Sequence, residues 1–251
     1  MSQDRDEQRT DAESTALAGS RPLPTAEEVN NKAPIQSPGR IAWRRFLRHR
    51  LAITSLVFVG FLVLVALFAP LLAPHDPNVV NTAAFRTPPS SEHLLGTDSA
   101  GRDVLSRLIY GSRVSLTVGV AAALSAAGLG TLLGLLAGVV GGWVDSLIMR
   151  AVDVFLSFPS LMLILLLVAV LGPSIGTIVV VIALFEWPTA ARIVRQMALS
   201  VKETDFVLAA RAIGSSKWRI MRKHVAPAVL SPLTVVGTLL AAQAILLEAA
   251  L

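Results

Sequence analysis

The chain has 251 residues, of which 53% are apolar and 16% are charged, and its mean hydropathy is +0.64. A soluble domain carries charge at about 25% of its positions, so this composition excludes an ordinary soluble domain and indicates a membrane protein. The net charge of +5 does not indicate nucleic-acid binding, because the basic residues flank apolar runs, where they meet membrane lipid or set the topology.

The first 40 residues are predicted to form a disordered cytoplasmic tail. They are polar and mixed in charge, so they cannot bury enough surface to offset the entropy lost on ordering. Residues 41–72 follow as a basic segment and a first transmembrane helix, the uncharged run Leu51–Leu72. At 1.5 Å per residue this run reaches about 33 Å, enough to cross a hydrocarbon core of about 30 Å. The arginines before it predict a cytoplasmic N-terminus.

Charge balance predicts which later segments lie on which side of the membrane. Residues 73–114 hold four arginines and four acidic residues and are predicted to form an extracytoplasmic loop. Residues 192–228 hold eight Lys or Arg against two acidic residues and are predicted to form a cytoplasmic loop. Further spans are predicted in a helical core, residues 115–251, at about 115–140, 151–171, 174–191 and from 229 onward. The sequence therefore predicts an all-α polytopic membrane protein with five visible spans.

Two features inside the spans predict local structure. Gly130, Gly134, Gly138 and Gly142 recur every four residues, and small residues at that spacing let two membrane helices pack closely. The glycines do not match a dinucleotide-binding loop, which also needs a preceding strand. Pro159 lies near one end of the third predicted span and predicts a kink there.

The stretch "DFVLAARAIGSSKWRIMRKHVAPAVL", residues 205–230, is charged and broken by a glycine. Its stripe of Phe206, Ala209, Ala210 and Ile213 at helical spacing predicts a short helix with a thin face that another protein could cover. Gly214 is predicted to end that helix in the left-handed conformation. Ser215 or Ser216 is predicted to cap a second helix that Pro227 closes. The alternative is an amphipathic loop that lies on lipid headgroups without a partner.

This stretch resembles the cytoplasmic loop of ABC importer permeases, with the motif Glu-Ala-Ala, three residues, Gly, nine residues, Ile, any residue, Leu-Pro. Ala209, Ala210 and Gly214 are in register, and Pro227 occupies the proline position. The chain departs from the general motif at three positions, namely Leu208 in place of Glu, His224 in place of Ile, and Ala226 in place of Leu.

Three more stretches are similar to the C-type permease subunit of dipeptide and oligopeptide importers. They are "HLLGTDSAGRDVLSRLIYGSRVSL", "GGWVDSLIMRAVDVFLSFPSLML" and "ARIVRQMALSVKETDFVLAARAIG". The resemblance implies a helical bundle of the ABC importer permease type that carries di- or oligopeptides. It also implies a sister permease subunit, two ABC ATPase subunits that hold ATP and Mg, and an extracytoplasmic peptide-binding protein.

In the family, the loop helix inserts into a groove of an ATPase subunit and transmits its closure to the membrane helices. The resemblance assigns this coupling role to Leu208, Ala209, Ala210, Gly214, His224 and Pro227. The family continues into a sixth span beyond the position where this sequence stops. The chain is therefore expected to be a fragment or a truncated subunit that is not active alone.

No enzymatic site is expected in this chain. It lacks cysteine and the phosphate-binding G-x-x-x-x-G-K-[ST] pattern, and no paired carboxylates or nucleophile triad appear. The histidines, His49, His75, His93 and His224, are scattered in sequence and predict no metal site. His224 is interpreted as a structural interface residue.

Several charged residues are left with two interpretations each. Glu186 lies at membrane depth and either faces the transport pathway or reaches back to the nearby inner interface. Asp98, Arg102 and Asp103, in the outer loop, either cap local turns or meet a solute-binding protein.

Three alternative functions stay open on the sequence. The same machinery could import nickel chelates or glutathione instead of peptides. A secondary transporter or channel would work without an ATPase, although it would usually bury more charge for ion coupling. A scaffold or sensor subunit is the third alternative.

Overall fold

The computed structural model describes residues 46–251, so the predicted tail at residues 1–40 lies outside the described residues. The chain divides into two units at residue 56, and the second unit, Val57–Leu251, contains most of the described residues. Most of the described residues are helical, whereas residues 73–103 form a loop with one short 3₁₀ helix, Thr82–Ala84, and an isolated antiparallel bridge between Thr97 and Asp103. The helices are α1 (Arg50–Leu67), α2 (Ala69–Leu72), α3 (Val104–Val140), α4 (Gly142–Leu156), α5 (Ser160–Leu171), α6 (Ile175–Lys202), α7 (Asp205–Ala212), α8 (Lys217–Ile220) and α9 (Ala226–Ala249).

Four helical segments in the described part of the chain are long and apolar enough to cross a membrane. They are α1, α3, α6 and the continuous stretch Lys217–Ala249. Helices α4 and α5 provide a fifth if they count as one broken span, because they are bent by 80° at the break between them. Pro159 is the N-cap of α5, in extended conformation, and the predicted kink is therefore a sharp corner.

Two helices extend well beyond the spans predicted for them. Helix α3 has 37 residues and begins at Val104, not near residue 115, and α6 continues to Lys202, not to residue 191. The predictions followed the uncharged windows, whereas polar residues continue both helices. At 1.5 Å per residue α3 is about 55 Å long, so it is longer than a hydrocarbon core of about 30 Å.

The close packing of α3 against α6 depends on glycines that leave room for the facing backbone. A Cβ atom at Gly134 would lie 2.6 Å from the Ala191 carbonyl oxygen, and one at Gly130 would lie 2.8 Å from the Trp187 carbonyl oxygen. At Gly138 it would lie 2.7 Å from the Ala198 Cβ.

The fourth glycine of the repeat does not take part in this packing. Gly142 begins α4, beyond the end of α3, with φ of +61° and nothing within 4 Å of its Cβ position. The predicted four-glycine face is wrong at this position, because the helix ends at Val140 before the repeat is complete.

Candidate functional site

The 205–230 segment contains two short helices, α7 and α8, joined at a bend at Gly214. Gly214 has φ of +83°, in the left-handed region that favours glycine. The Ser215 N–H donates to the Ala210 carbonyl at 3.1 Å, and the Gly214 N–H donates to the Arg211 carbonyl at 3.0 Å. This is the Schellman pattern of a helix C-terminus. Ser216 then caps α8, since its hydroxyl oxygen accepts from the Arg219 N–H at 3.4 Å.

The second helix does not end at Pro227, so that part of the prediction is wrong. Residues Met221–Val225 form a π-turn in which the Ala226 N–H donates to the Met221 carbonyl, and α9 follows at once. Pro227 lies in the first turn of α9. Pro227 has no backbone N–H, so one carbonyl of the preceding turn lacks its usual helical partner. The wider π-turn just before Pro227 accommodates this loss. The bend at Gly214 is therefore joined directly to the last long helix.

One face of α7 is buried in the helix bundle. Val207 is fully buried and Ala210 nearly so. Val207 belongs to an apolar cluster with residues of α3, α6, α8, the π-turn and α9, namely Leu135, Val139, Val194, Ala198, Ile220, Met221, Val225 and Val229. Phe206, Ala209 and Ile213 of the predicted stripe are exposed, as a face left for another protein requires, whereas Ala210 is buried and does not belong to that face. The spacing correctly indicated a helix, but it could not indicate which side of that helix packs against the bundle.

The other face of α7, with α8, exposes large apolar side chains. Ile213 is 85% exposed, and Phe206, Leu208 and Trp218 are also exposed. Ala209 is exposed between them, and the His224 ring lies 6.1 Å from the Phe206 ring. Basic side chains alternate with these apolar ones, and the exposed basic residues are Arg211, Lys217, Arg219, Arg222 and Lys223. An apolar surface with basic neighbours, held on a rigid bend, is suited to contact another macromolecule.

Lysine side chains join the segment and the end of α6 to the end of α3. The Lys217 ammonium donates to the Val140 carbonyl at 3.0 Å, and the Lys202 ammonium donates to the Gly138 carbonyl at 3.5 Å. Both carbonyls lie in the last turn of α3, where positive charge is favourable. A cavity of about 260 Å³ lies beside these contacts, lined by Val139, Lys202, Arg211, Ser215, Lys217 and Ile220.

Glu186 lies in α6 between Phe185 and Trp187 and is only 5% exposed. A side chain that reaches the membrane interface would be more exposed, so the interface interpretation of Glu186 does not fit this burial. Among the described residues no hydrogen bond or ion pair reaches its carboxylate. The same burial means that Glu186 does not lie on an exposed surface of this subunit, so its assignment to the transport pathway stays a prediction.

The predicted outer cluster makes local turns. The Asp98 carboxylate accepts from the Ala100 N–H at 2.8 Å, the Arg102 N–H at 3.0 Å and the Arg102 Nε at 2.9 Å, and it also pairs with Arg107. These bonds, led by that of Ala100, hold the pKa of Asp98 well below its usual range. Asp98 and Arg102 therefore have partners within their own turn, as the capping interpretation expects.

Asp103 is the N-cap of α3. Its Oδ2 accepts from the Ser106 N–H at 2.8 Å, and its Oδ1 lies 3.0 Å from the His93 Nδ1. Burial raises the pKa of Asp103, but the bonds from Ser106 and His93 outweigh burial and hold the pKa below its ordinary value. The histidines are scattered in sequence, but His75 and His93 come together in the fold, where their rings lie 4.8 Å apart beside Asp103. Loop folding brings them together, and no short-range spacing could indicate it.

Comparison with known proteins decides the family. Residues 130–251 match the family described as binding-protein-dependent transport system inner membrane component. Residues 37–89 match the N-terminal transmembrane domain of oligopeptide transport permease C. The dipeptide transport system permease protein DppC of Alkalihalophilus pseudofirmus is 40% identical over 92% of this chain and 76% of that protein. The chain belongs to the binding-protein-dependent transport system inner membrane component family.

Other members of this family show its range. The glutathione transport system permease protein GsiD of Pectobacterium atrosepticum is 37% identical over 91% of the chain and 76% of that protein. The probable D,D-dipeptide transport system permease protein DdpC of Escherichia coli is 41% identical over 80% of the chain and 67% of that protein. The predictions of an all-α multi-pass membrane protein and of an ABC permease subunit, not an enzyme, are confirmed.

Proposed function

We propose that this family member is the C-type permease subunit of an ATP-driven importer of di- and oligopeptides, and that the 205–230 segment docks on an ATPase subunit. The observation that carries the proposal is the two-sided α7, with Val207 buried in the bundle and Ile213 exposed. A lipid-resting loop needs no fixed glycine bend and no attachment of its buried face to three long helices.

The contacts of the segment suggest how ATPase closure reaches the membrane. Movement of α7 acts on α3 and α6 through Val207, and movement of α8 acts on α9 through the π-turn. The Lys217 bond to the Val140 carbonyl, in the last turn of α3, provides a third connection. ATP and Mg would be held by the partner subunits, and this chain would supply the mechanical input.

The proposed assembly contains a sister permease, two ABC ATPase subunits and an extracytoplasmic peptide-binding protein. The basic composition of residues 192–228 supports a cytoplasmic position for the docking segment and for the N-terminus. Peptide import is supported by the two dipeptide permeases among the relatives described above. Glutathione import is the second candidate because of the 37% identity to a glutathione permease.

The docking test compares variants of α7 in the assembled transporter. Ile213→Asp places a charge on the exposed face, and we expect it to reduce co-purification of the ATPase and peptide uptake by about tenfold or more, while membrane insertion persists. Gly214→Val forces a β-branched residue into the left-handed region and should act in the same direction.

The matched control is Val79→Asp, which puts the same charge on an exposed valine outside the segment. It should leave ATPase association unchanged. Full uptake and full ATPase association by Ile213→Asp would contradict docking through this face. Uptake without any ATPase subunit would instead favour a secondary transporter.

A further inference from the structure

Three potential metal ligands meet at the start of α3, outside the membrane-spanning helices. His75 comes soon after α2, His93 lies in the following loop, and Asp103 is the N-cap of α3. The Asp103 Oδ1 lies 3.0 Å from the His93 Nδ1 and 4.0 Å from the His75 Nδ1. One ligand atom from each residue lies within 4.8 Å of the others.

The surroundings hold these ligand atoms in place. Asp103 is only 3% exposed, and its Oδ2 is occupied by the Ser106 N–H, so Oδ1 is the atom that faces the histidines. The Ser106 hydroxyl oxygen accepts from the backbone N–H of His75 at 3.1 Å, which fixes the position of that residue. Hydrogen bonds of this kind orient metal ligands in known sites.

The His75 Nδ1 gives an independent indication of a missing partner. This nitrogen is buried and has no hydrogen-bond partner among the described residues, although 38% of the His75 side chain is exposed. Buried polar atoms are normally paired, and an unpaired one is unfavourable. A cation placed between His75, His93 and Asp103 would satisfy it.

We infer that His75, His93 and Asp103 form a binding site for a divalent transition metal of the zinc class. Two imidazole nitrogens and one carboxylate oxygen are a ligand set that Zn²⁺ accepts, with a fourth position left for water or another ligand. Bonds of about 2.0–2.1 Å in tetrahedral geometry place ligand atoms roughly 3.3 Å apart. The separations of 3.0 and 4.0 Å lie on either side of that value, and the full set of ligand atoms spans up to 4.8 Å, so the side chains must rotate to bring the atoms closer around a metal.

A metal here would join three parts of the chain that are distant in sequence. It would attach the segment after α2 and the loop around residue 93 to the first turn of α3. The binding itself does not depend on the peptide-import proposal, since it requires only these residues.

The test uses the purified full chain in detergent, stripped with a chelator and titrated with ZnCl₂ in isothermal titration calorimetry. We expect about one Zn²⁺ per chain and weaker binding as pH falls from about 7.5 to 5.5, because imidazole must be neutral to bind metal. His75→Ala should weaken binding by at least about tenfold. Asp103→Asn should do the same while it keeps the helix cap, since Asn is also a good N-cap residue.

The matched control is His49→Ala, a histidine outside the cluster, which should bind zinc like the wild type. Absence of zinc binding by the wild type would overturn the inference, as would unchanged affinity in His75→Ala.

Discussion

At the residue scale, the packing of α3 against α6 depends on the absence of a side chain at defined positions. Gly134 faces the Ala191 carbonyl oxygen, and the space there is too small for a methyl group. The backbone oxygen cannot rotate away as a side chain could. Any Cβ at this position must push the two helices apart.

We therefore expect Gly134→Ala to lower the free energy of unfolding of the purified protein by about 1–3 kcal/mol, the usual cost of overpacking, and so to lower its unfolding midpoint. Gly128→Ala is the matched control on the same helix, because nothing lies within 4 Å of its Cβ position. It should be neutral or slightly stabilising, since alanine favours a helix over glycine by about 1 kcal/mol. Thermal unfolding followed by circular dichroism measures both. Equal midpoints for the two variants would contradict the packing argument.

At the element scale, two arginine–aspartate pairs link α6 to α4 and differ in geometry and exposure. Arg195 donates to both carboxylate oxygens of Asp145 at 2.5 and 2.6 Å, with side chains 28% and 21% exposed. Arg192 makes a single bond to Asp153 at 2.6 Å, with side chains 50% and 63% exposed. Two parallel bonds in a more sheltered place should be the stronger connection.

Double-mutant cycles to alanine on both pairs measure this difference. We expect the Arg195–Asp145 coupling to exceed the Arg192–Asp153 coupling, which should be at most about 1 kcal/mol and should fall with added salt. Both cycles use the same two helices and the same residue types, so the comparison isolates geometry and exposure. A coupling at Arg192–Asp153 equal to or larger than that at Arg195–Asp145 would be contrary evidence.

The elements also show what sequence can and cannot predict. The first span and the glycine break at 214 could be read directly, because hydropathy and backbone conformation are local properties. The predicted helix Leu51–Leu72 is nevertheless wrong at its end, because α1 stops at Leu67 and Pro70 lies in the first turn of α2. The start of α3 and the end of α6 could not be predicted in this way, because polar residues continue each helix beyond its apolar run. The buried face of α7 could not be predicted either, because Val207 is buried by residues of other helices.

At the scale of the whole molecule, the proposed topology puts the 73–103 loop outside and the 205–230 segment inside. The chain has no native cysteine, so single introduced cysteines report orientation without background. Ser91 and Ala212 are exposed positions in the two segments.

We expect a membrane-impermeant maleimide to label Ser91→Cys in intact cells and to label Ala212→Cys only after permeabilisation. The basic residues of 192–228 are the physical reason, because cytoplasmic loops retain Lys and Arg. The unsubstituted chain is the control and should not react. Labelling of Ala212→Cys in intact cells would show that the 205–230 segment lies outside, and it would contradict both the proposed topology and the docking proposal.

The length of α3 has one more consequence. Its first turn carries the Asp103 cluster, and the carbonyls of its last turn receive Lys202 and Lys217. One helix without proline thus connects the proposed metal ligands at its start to the docking segment at its end, about 55 Å away. If zinc binding changed docking of the ATPase, docking would change the affinity for zinc by the same factor.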